Sequence, residues 1–138
     1  MKSFVWLLCG CLFLTGCSSL STHSDATGLK SVKRVYVEHL LTDNDRIDEC
    51  IVGELKARGY DAACGPLTMM PDNVDAIVTY SSRTAWDFKS YVIELNVAVN
   101  ANFTNKPLAT GRYYQPSLRT KSAPEVVHDV IGAIFPAR

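Results

Sequence analysis

The stretch that decides the fold is residues 91–103, which read YVIELNVAVNANF. Every second residue from Tyr91 to Phe103 is apolar, over seven repeats, and the residues between them are mostly polar. Successive side chains of a β-strand point to opposite faces of the sheet, so a period of two indicates a strand with one buried face. Residues 91–103 therefore predict a strand in a sheet that has one apolar face and one polar face.

The preceding stretch, residues 75–88 (DAIVTYSSRTAWDF), predicts an antiparallel partner for this strand. A two-residue turn at residues 89–90 would set the register. A slip by one residue would place aromatic side chains against the polar face, so the apolar pattern specifies the pairing. On the apolar side we expect four pairs: Phe88 with Tyr91, Trp86 with Ile93, Tyr80 with Val99, and Val78 with Ala101.

This hairpin also presents a candidate binding surface, which consists of Arg83, Trp86, Asp87, Glu94 and Asn96. Most of its members lie on the polar face. Arg83 and Glu94 would lie diagonally across the strand pair and form an exposed salt bridge. Such a pair contributes under about 1 kcal/mol to stability, and we interpret it as structural and not as catalytic.

One helix is predicted before the hairpin in the sequence and one after it. The first covers residues 44–58, where N-cap residues precede apolar residues at helical spacing. It lies between two predicted strands, one at the β-branched residues 32–39 and a short one at residues 60–64. A strand-helix-strand unit of this length predicts that the two strands are parallel. The second helix begins at the capping box of Ser122 and Glu125.

One more strand, residues 108–115, is predicted to return after a turn at Asn105 and Lys106. The element order is then β-α-β-β-β-β-α. This order is typical of the α+β class. We expect a two-layer domain in which a mainly antiparallel sheet carries two helices on one face.

The amino-terminal segment has the form of an export signal. Residues 4–14 are apolar behind the single charge of Lys2, and they are too short to span a bilayer, which takes about 20 residues. The run ends in LTGC at residues 14–17, which resembles the lipobox of bacterial lipoproteins at all four positions. The resemblance implies cleavage after Gly16 and attachment of lipid to Cys17.

This anchor predicts three parts of the chain. Residues 1–16 would be a cleaved lipoprotein signal peptide, residues 17–29 the lipidated cysteine with a flexible Ser/Thr-rich tether, and residues 30–138 a single α+β domain in the periplasm. In Gram-negative lipoproteins an Asp after the cysteine is typical of retention in the inner membrane. Ser18 therefore implies an outer-membrane location, with the membrane bound through Cys17.

Parts of the domain resemble small proteobacterial lipoproteins, many of them uncharacterised. The resemblance is carried by residues 80–91, by residues 107–112 (PLATGR) and by the terminal helix that begins at Ser122. It covers most of residues 32–135. It implies an outer-membrane lipoprotein, and it brings no catalytic residues with it.

The cysteines divide by position. Cys9 and Cys11 lie in the leader and Cys17 is used by the anchor, which leaves Cys50 and Cys64 as a pair. Exported proteins fold in an oxidising compartment, so this pair predicts a disulfide. Closing a loop of about 15 residues would stabilise the fold by about 3 kcal/mol. The alternative is two buried free thiols.

Charge and composition exclude some classes of function. After removal of the leader, which contributes Lys2, 13 Lys and Arg residues face 14 Asp and Glu residues. A nucleic-acid-binding surface would be basic, so we expect no nucleic-acid partner. His23, His39 and His128 are scattered singly, and we expect neither a metal nor another cofactor.

Three functions from different classes are compatible with the sequence. We predict a non-enzymatic accessory or binding domain with a protein partner in the envelope. A lipid or glycan carrier is the first alternative, with Trp86, Phe88, Tyr91 and Phe103 lining its cavity. The second alternative is an envelope hydrolase, for which the candidates are His39, His128, Asp87 and Glu94. The sequence contains neither G-x-S-x-G nor H-E-x-x-H, so we expect no enzyme.

Overall fold

Within residues 18–116 and 120–138, which the computed structural model describes, the chain forms six strands and three α-helices. The strands are β1 Ser19–Ser24, β2 Arg34–Glu38, β3 Asp61–Gly65, β4 Ala76–Asp87, β5 Lys89–Ala101 and β6 Pro107–Tyr114. The helices are α1 Ala26–Ser31, α2 Ile47–Ala57 and α3 Ala123–Ile134, and a single 3₁₀ turn, Leu67–Met69, follows β3.

All six strands belong to one mixed sheet, in the order β1-β6-β5-β4-β2-β3. The strands β2, β3 and β4 are parallel to one another, and the remaining pairs are antiparallel. The parallel pair β2–β3 is connected through α2, as the crossover unit predicted. The α+β class is thereby confirmed, with one strand and one helix more than the sequence indicated.

The helices cover one face of this sheet. α2 packs over β2 and β3, α3 packs over β1, β5 and β6, and the two helices contact each other. Their apolar stripes and the facing strand residues form one core cluster. Among its completely buried members are Val37, Ile51, Leu55, Val99, Ile131 and Phe135. The opposite face of the sheet carries the polar side chains.

The start of α2 is determined by Asp43, four residues before the first helical residue. Its Oδ2 atom accepts hydrogen bonds from the backbone N–H of Ile47 (2.7 Å) and from the hydroxyl of Tyr80 on β4 (2.7 Å). The carboxylate thus satisfies a free donor of the helix terminus and joins the β2–α2 loop to the sheet. The helix begins three residues later than the predicted residue 44.

The start of α3 is the predicted capping box. The backbone N–H of Ser122 donates to Oε2 of Glu125 at 2.8 Å, and the apolar stripe that follows is buried. The helix lies very close to β6 at Gly111. A Cβ atom there would come within 2.7 Å of Ile134 and 2.9 Å of Val130, so only glycine permits this approach.

The prediction that residues 17–29 form a flexible tether is wrong for the part that the structure describes. β1 pairs along its whole length with β6, and Asp25 caps α1 by accepting from the N–H groups of Thr27 and Gly28, both at 3.1 Å. All six side chains of β1 are exposed. An edge strand without a buried face has no apolar alternation, so the sequence contained no periodic signal for it. Residues 19–29 therefore belong to the folded domain, which does not begin near residue 30.

The β4–β5 hairpin does not have the predicted register. Its turn is centred on Phe88 and not on residues 89–90, and Tyr80 pairs with Val97 where Val99 was expected. This is a shift of two residues. Because the side-chain period of a strand is also two, the shift leaves Val99 and Tyr80 on the predicted core face.

A β-bulge divides this hairpin into two halves. The register changes between Arg83 and Thr84, where Ile93 is the extra residue of β5. The added residue reverses the alternation, so that Val92 turns into the core, contrary to the simple pattern. We call residues 76–82 with residues 95–101 the inner half of the hairpin, and residues 83–94 the outer half.

Candidate functional site

Polar side chains from four neighbouring strands cover the sheet opposite the helices. They line a surface cavity of about 540 Å³. Two rows of residues, all polar except Ala98, run across β4, β5, β6 and β1: Ser81, Asn96, Arg112 and Ser21 in one row, and Thr79, Ala98, Thr110 and His23 in the other. We call these eight residues, together with Arg83 and Glu94 beside them, the polar face.

A charged triad stands at one border of the polar face. Glu94 on β5 accepts from Nε of Arg112 on β6 at 3.0 Å, and its second oxygen lies 3.5 Å from a guanidinium nitrogen of Arg83 on β4. The Glu94 side chain is 20 % exposed, whereas both arginine side chains are mostly exposed. One carboxylate between two guanidinium groups leaves a surplus of one positive charge facing solvent.

The polar face is suited to hydrogen bonding. Its hydroxyl, amide and guanidinium groups supply many donors, and guanidinium groups bind carboxylates in a bidentate manner. The amide nitrogen of Asn96 lies 3.4 Å from both Ser81 Oγ and Glu94 Oε1, which orients it within the row. This arrangement can recognise an acidic or hydroxyl-rich surface, and it presents no activated nucleophile.

The predicted binding residues fall into two groups. Arg83, Glu94 and Asn96 lie together on the polar face, and Arg83 and Glu94 pair directly and not diagonally. Trp86 and Asp87 lie at the end of the outer half, away from the cavity.

Sequence reasoning did not identify the contributions of β6 and β1 to this face. Arg112 is the second cation of the triad, and Ser21 and His23 extend the two rows. The position of Arg112, between Gly111 and Tyr113 on a predicted strand, was the signal that could have pointed to it. For β1 the sequence held no such signal, because only its pairing with β6 places it in the sheet.

The aromatic side chains expected to line an interior cavity do not line one. Trp86, Phe88 and Phe103 are 75 %, 90 % and 79 % exposed, and Tyr91 is half-buried. The rings of Trp86 and Phe88 lie 6.1 Å apart and stack only on each other. Because these side chains are mostly exposed, the carrier hypothesis loses the residues on which it rested. Met69, in the 3₁₀ turn after β3, is exposed as well.

His39 and Cys64 meet at one buried carboxylate, that of Asp48. Nδ1 of His39 lies 2.8 Å from Oδ2 of Asp48, and the Cys64 thiol lies close enough to the same carboxylate for its pKa to be affected. Burial, followed by the negative charge of Asp48, raises the pKa of Cys64 to about 11. A thiol with this pKa stays protonated near neutral pH, so Cys64 is a poor nucleophile.

The other candidate hydrolytic residues lie apart from this cluster. His128 is on the exposed side of α3, with its Nδ1 atom 2.9 Å from Oε1 of Glu54 on α2. Asp87 is in the outer half, and Glu94 is held between two arginines. Within residues 18–116 and 120–138, no group of three or more His, Cys, Asp or Glu side chains is placed to hold a metal ion.

The predicted disulfide between Cys50 and Cys64 is not formed, since both are free thiols. The reason lies in the geometry of α2. Asp48 is the helix residue that contacts Cys64, and Cys50 follows two residues later. Two residues rotate a side chain by about 200° around a helix axis, so Cys50 points away from the strand that Asp48 faces.

The predicted lipid attachment site, Cys17, lies outside the described residues, as does the leader that precedes it. Ser18 is the first residue described, and β1 starts immediately after it. In the part of the chain that the structure covers, every helix is too short or too polar to cross a membrane.

Comparison with known proteins supports the fold. No protein-family model matches the sequence, and neither does any curated protein sequence. A dodecamer of PelC from Paraburkholderia phytofirmans is 12 % identical, with a TM-score of 0.58 over 86 % of this chain and 94 % of that one. A point variant of PelC, also a dodecamer, is 13 % identical, with a TM-score of 0.61 over 88 % and 100 %. At these identities the likeness shows a common fold alone.

A minor lipoprotein from Acinetobacter baumannii is also similar, though more loosely. It is 17 % identical and matches 71 % of this chain and 85 % of its own length, with a TM-score of 0.35. That score is too low to establish a common fold.

Proposed function

We propose that this chain is a lipoprotein of the outer membrane, anchored through Cys17, and that it acts by binding a protein of the envelope and not by catalysis. The observation that carries the proposal is the polar face, where four adjacent strands present ordered polar side chains that none of the described helices covers. The matching lipobox at residues 14–17 supports the anchor.

A second copy of the chain is the first partner that we propose. Support comes from PelC, which shares the fold and whose structures are described as dodecamers. The sheet has unlike edges, β1 beside the polar face and β3 at the far side. A contact between the β1 edge of one copy and the β3 edge of the next is head-to-tail, and repetition of such a contact forms a ring when the rotation between copies closes.

Charge also favours this arrangement. The triad gives the β1 side of the sheet a surplus positive charge, whereas the β3 edge carries Asp61 with an exposed carboxylate 3.8 Å from Arg34. Arg112 is the triad member nearest to β1, because it pairs with Ser21. An acidic group on the neighbouring copy would therefore meet a guanidinium group, which fixes the orientation of the contact.

The anchor is tested by metabolic labelling with an alkyne fatty acid. The wild-type protein should incorporate the label and float with membranes, and Cys17→Ser should lose both properties. Cys50→Ser and Cys64→Ser are the matched controls and should keep both. Labelling of the Cys17→Ser variant would contradict the proposal. For the outer-membrane location, Ser18→Asp should move the protein to the inner-membrane fraction of a density gradient.

The binding surface is tested by the mass of the detergent-solubilised lipoprotein in light scattering. We expect an oligomer, which Arg112→Glu should dissociate. Arg46→Glu is the control, because Arg46 pairs with Glu49 at the start of α2 and belongs to neither row of the polar face. A photo-crosslinking residue in place of Asn96 identifies the partner in cells. A monomer at all concentrations together with no crosslinked protein at position 96 would overturn the proposal.

A further inference from the structure

Exposed apolar side chains gather at one end of the sheet. The strands β2, β3, β4 and β6 all finish at this end, and β1 starts there. Eight large apolar side chains of the described residues are exposed, and seven of them lie here. The most exposed of the seven are Leu41 (96 %), Phe88 (90 %), Trp86 (75 %) and Met69 (74 %). The eighth, Phe103, lies in the β5–β6 turn at the opposite end. We call the end that carries the seven exposed side chains the hairpin end.

The outer half of the hairpin is the most prominent part of this end. β5 pairs with β6 as far as Glu94, opposite Tyr114, and beyond it the backbone of Ile93 and Val92 is still hydrogen-bonded to Gln115 and Lys121. The projection is therefore the short turn around Phe88. The Oγ atom of Ser90 donates to Asp45 at 2.5 Å, which holds the projection beside the loop that carries Leu41.

The chain also enters the fold at the hairpin end. Ser19, the first residue of β1, pairs with Tyr114, the last residue of β6. Cys17 precedes Ser19 by two residues, and two extended residues span at most about 7 Å. Any lipid on Cys17 is therefore attached at the end of the molecule where the exposed aromatic residues lie.

We propose that the hairpin end is a membrane-docking surface, in which Trp86, Phe88 and Leu41 insert into the lipid surface that holds the anchor. The proposal rests on the lipidation of Cys17 proposed above. In this orientation the sheet stands on the membrane, and the polar face remains accessible to a protein partner.

The chemistry of the tip fits a lipid surface. Tryptophan and other aromatic side chains are enriched where hydrocarbon meets headgroups, and the neighbouring charges of Asp87 and Lys89 cancel. Phe88 has a φ angle of +57°, a conformation in which a bulky residue is unusual. An exposed, strained phenylalanine contributes nothing to the core, which is consistent with a role outside the domain.

The mature chain contains its own reporter, because Trp86 is the only tryptophan after Gly16. The full mature lipoprotein is incorporated into phosphatidylcholine vesicles with or without bromine atoms on the acyl chains. We expect a blue-shifted Trp86 emission, protection from acrylamide, and severalfold quenching by the brominated lipid. Trp86 emission that has the same intensity in both kinds of vesicle and is fully quenched by acrylamide would overturn the proposal.

Matched variants test whether the apolar tip is responsible. Phe88→Glu with Leu41→Glu should abolish the quenching by brominated lipid, while circular dichroism confirms the fold. Phe103→Glu removes an equally exposed aromatic residue at the opposite end and should leave the quenching unchanged. A blue shift that follows the number of protein copies per vesicle, and not the bromine, would assign the tip to contacts between copies and overturn the proposal.

Failure of the anchor and failure of docking are distinguishable. The mass of the mature protein reports native lipidation by itself. If no native lipid is found, a maleimide lipid is attached to Cys17 in a chain that carries Cys50→Ser and Cys64→Ser, and the quenching is measured again. Quenching of Trp86 in this experiment would support docking even though the native anchor is absent. No quenching would reject docking for either kind of lipid anchor.

Discussion

The inner and outer halves of the β4–β5 hairpin both carry apolar side chains, but these lie in different environments. In the inner half, Val78, Leu95 and Val99 are completely buried beneath the helical layer. In the outer half, Trp86 continues the alternation of β4 but is mostly exposed, and Phe88 forms the turn in open solvent. The two halves differ in what lies over them, and the bulge at Ile93 separates them.

The difference shows what alternation does and does not report. A period of two tells which side chains share a face, since this follows from strand geometry alone. Whether that face is buried depends on how far the covering layer extends. Here it ends before the hairpin does, and the apolar residues beyond it become available for contact with something outside the domain.

The largest effect on stability should come from truncating a buried side chain in the inner half. Leu95→Ala removes a completely buried side chain and should lower the free energy of unfolding by about 2–5 kcal/mol. Trp86→Ala is the corresponding truncation in the outer half and should change it by less than about 0.5 kcal/mol. Urea unfolding followed by far-UV circular dichroism measures both. Similar losses for the two variants would mean that the outer half is packed as tightly as the inner half.

A smaller effect is expected at Asp43, which joins the inner half to α2. Asp43→Ala leaves the N–H of Ile47 and the hydroxyl of Tyr80 without their acceptor, and it should cost about 1–3 kcal/mol. Tyr80→Phe removes one of these hydrogen bonds and should cost less, about 1 kcal/mol. Thermal unfolding of both variants compares them. An Asp43→Ala variant as stable as wild type would show that solvent replaces the carboxylate.

The inner half and the helices were predictable because local chemistry specifies them. The capping box of Ser122 and Glu125, the apolar stripe of α3 and the alternation around Val99 each involve residues close in sequence. They led to the correct α+β class and to the polar character of one sheet face. Three members of the candidate site, Arg83, Glu94 and Asn96, followed from the same alternation.

The remainder depends on contacts between distant residues. β1 exists because β6 lies beside it, so Ser21 and His23 were assigned to a tether. Similarly, Cys64 contacts Asp48 and not Cys50, which counting cysteines does not reveal. The bulge at Ile93 has no local marker, and it altered the register of the hairpin.

The turn offers a variant that should stabilise the protein. Phe88 occupies a left-handed conformation (φ +57°), which glycine adopts without steric strain. We expect Phe88→Gly to be more stable than Phe88→Ala by about 1 kcal/mol, because alanine keeps the strain and loses the same exposed ring. Chemical denaturation of the two variants gives the difference. Equal stabilities would mean that the turn relaxes and that the conformation of Phe88 is not strained.

The smallest effect concerns the free thiols of α2 and β3, which should make the stability of the domain independent of reductant. We expect the urea midpoint to be the same with and without dithiothreitol, whereas a closed loop of about 15 residues would contribute about 3 kcal/mol.

The pKa of about 11 for Cys64 makes a second, kinetic prediction. In a Cys50→Ser chain without Cys17, folded Cys64 should be alkylated slowly at pH 8, and its rate should rise about tenfold per pH unit to pH 10, since the thiolate fraction grows below the pKa. An ordinary thiol, with a pKa of about 8.5, would level off above pH 9. A plateau near pH 9 in the folded protein would show that the Cys64 thiol is not held by Asp48.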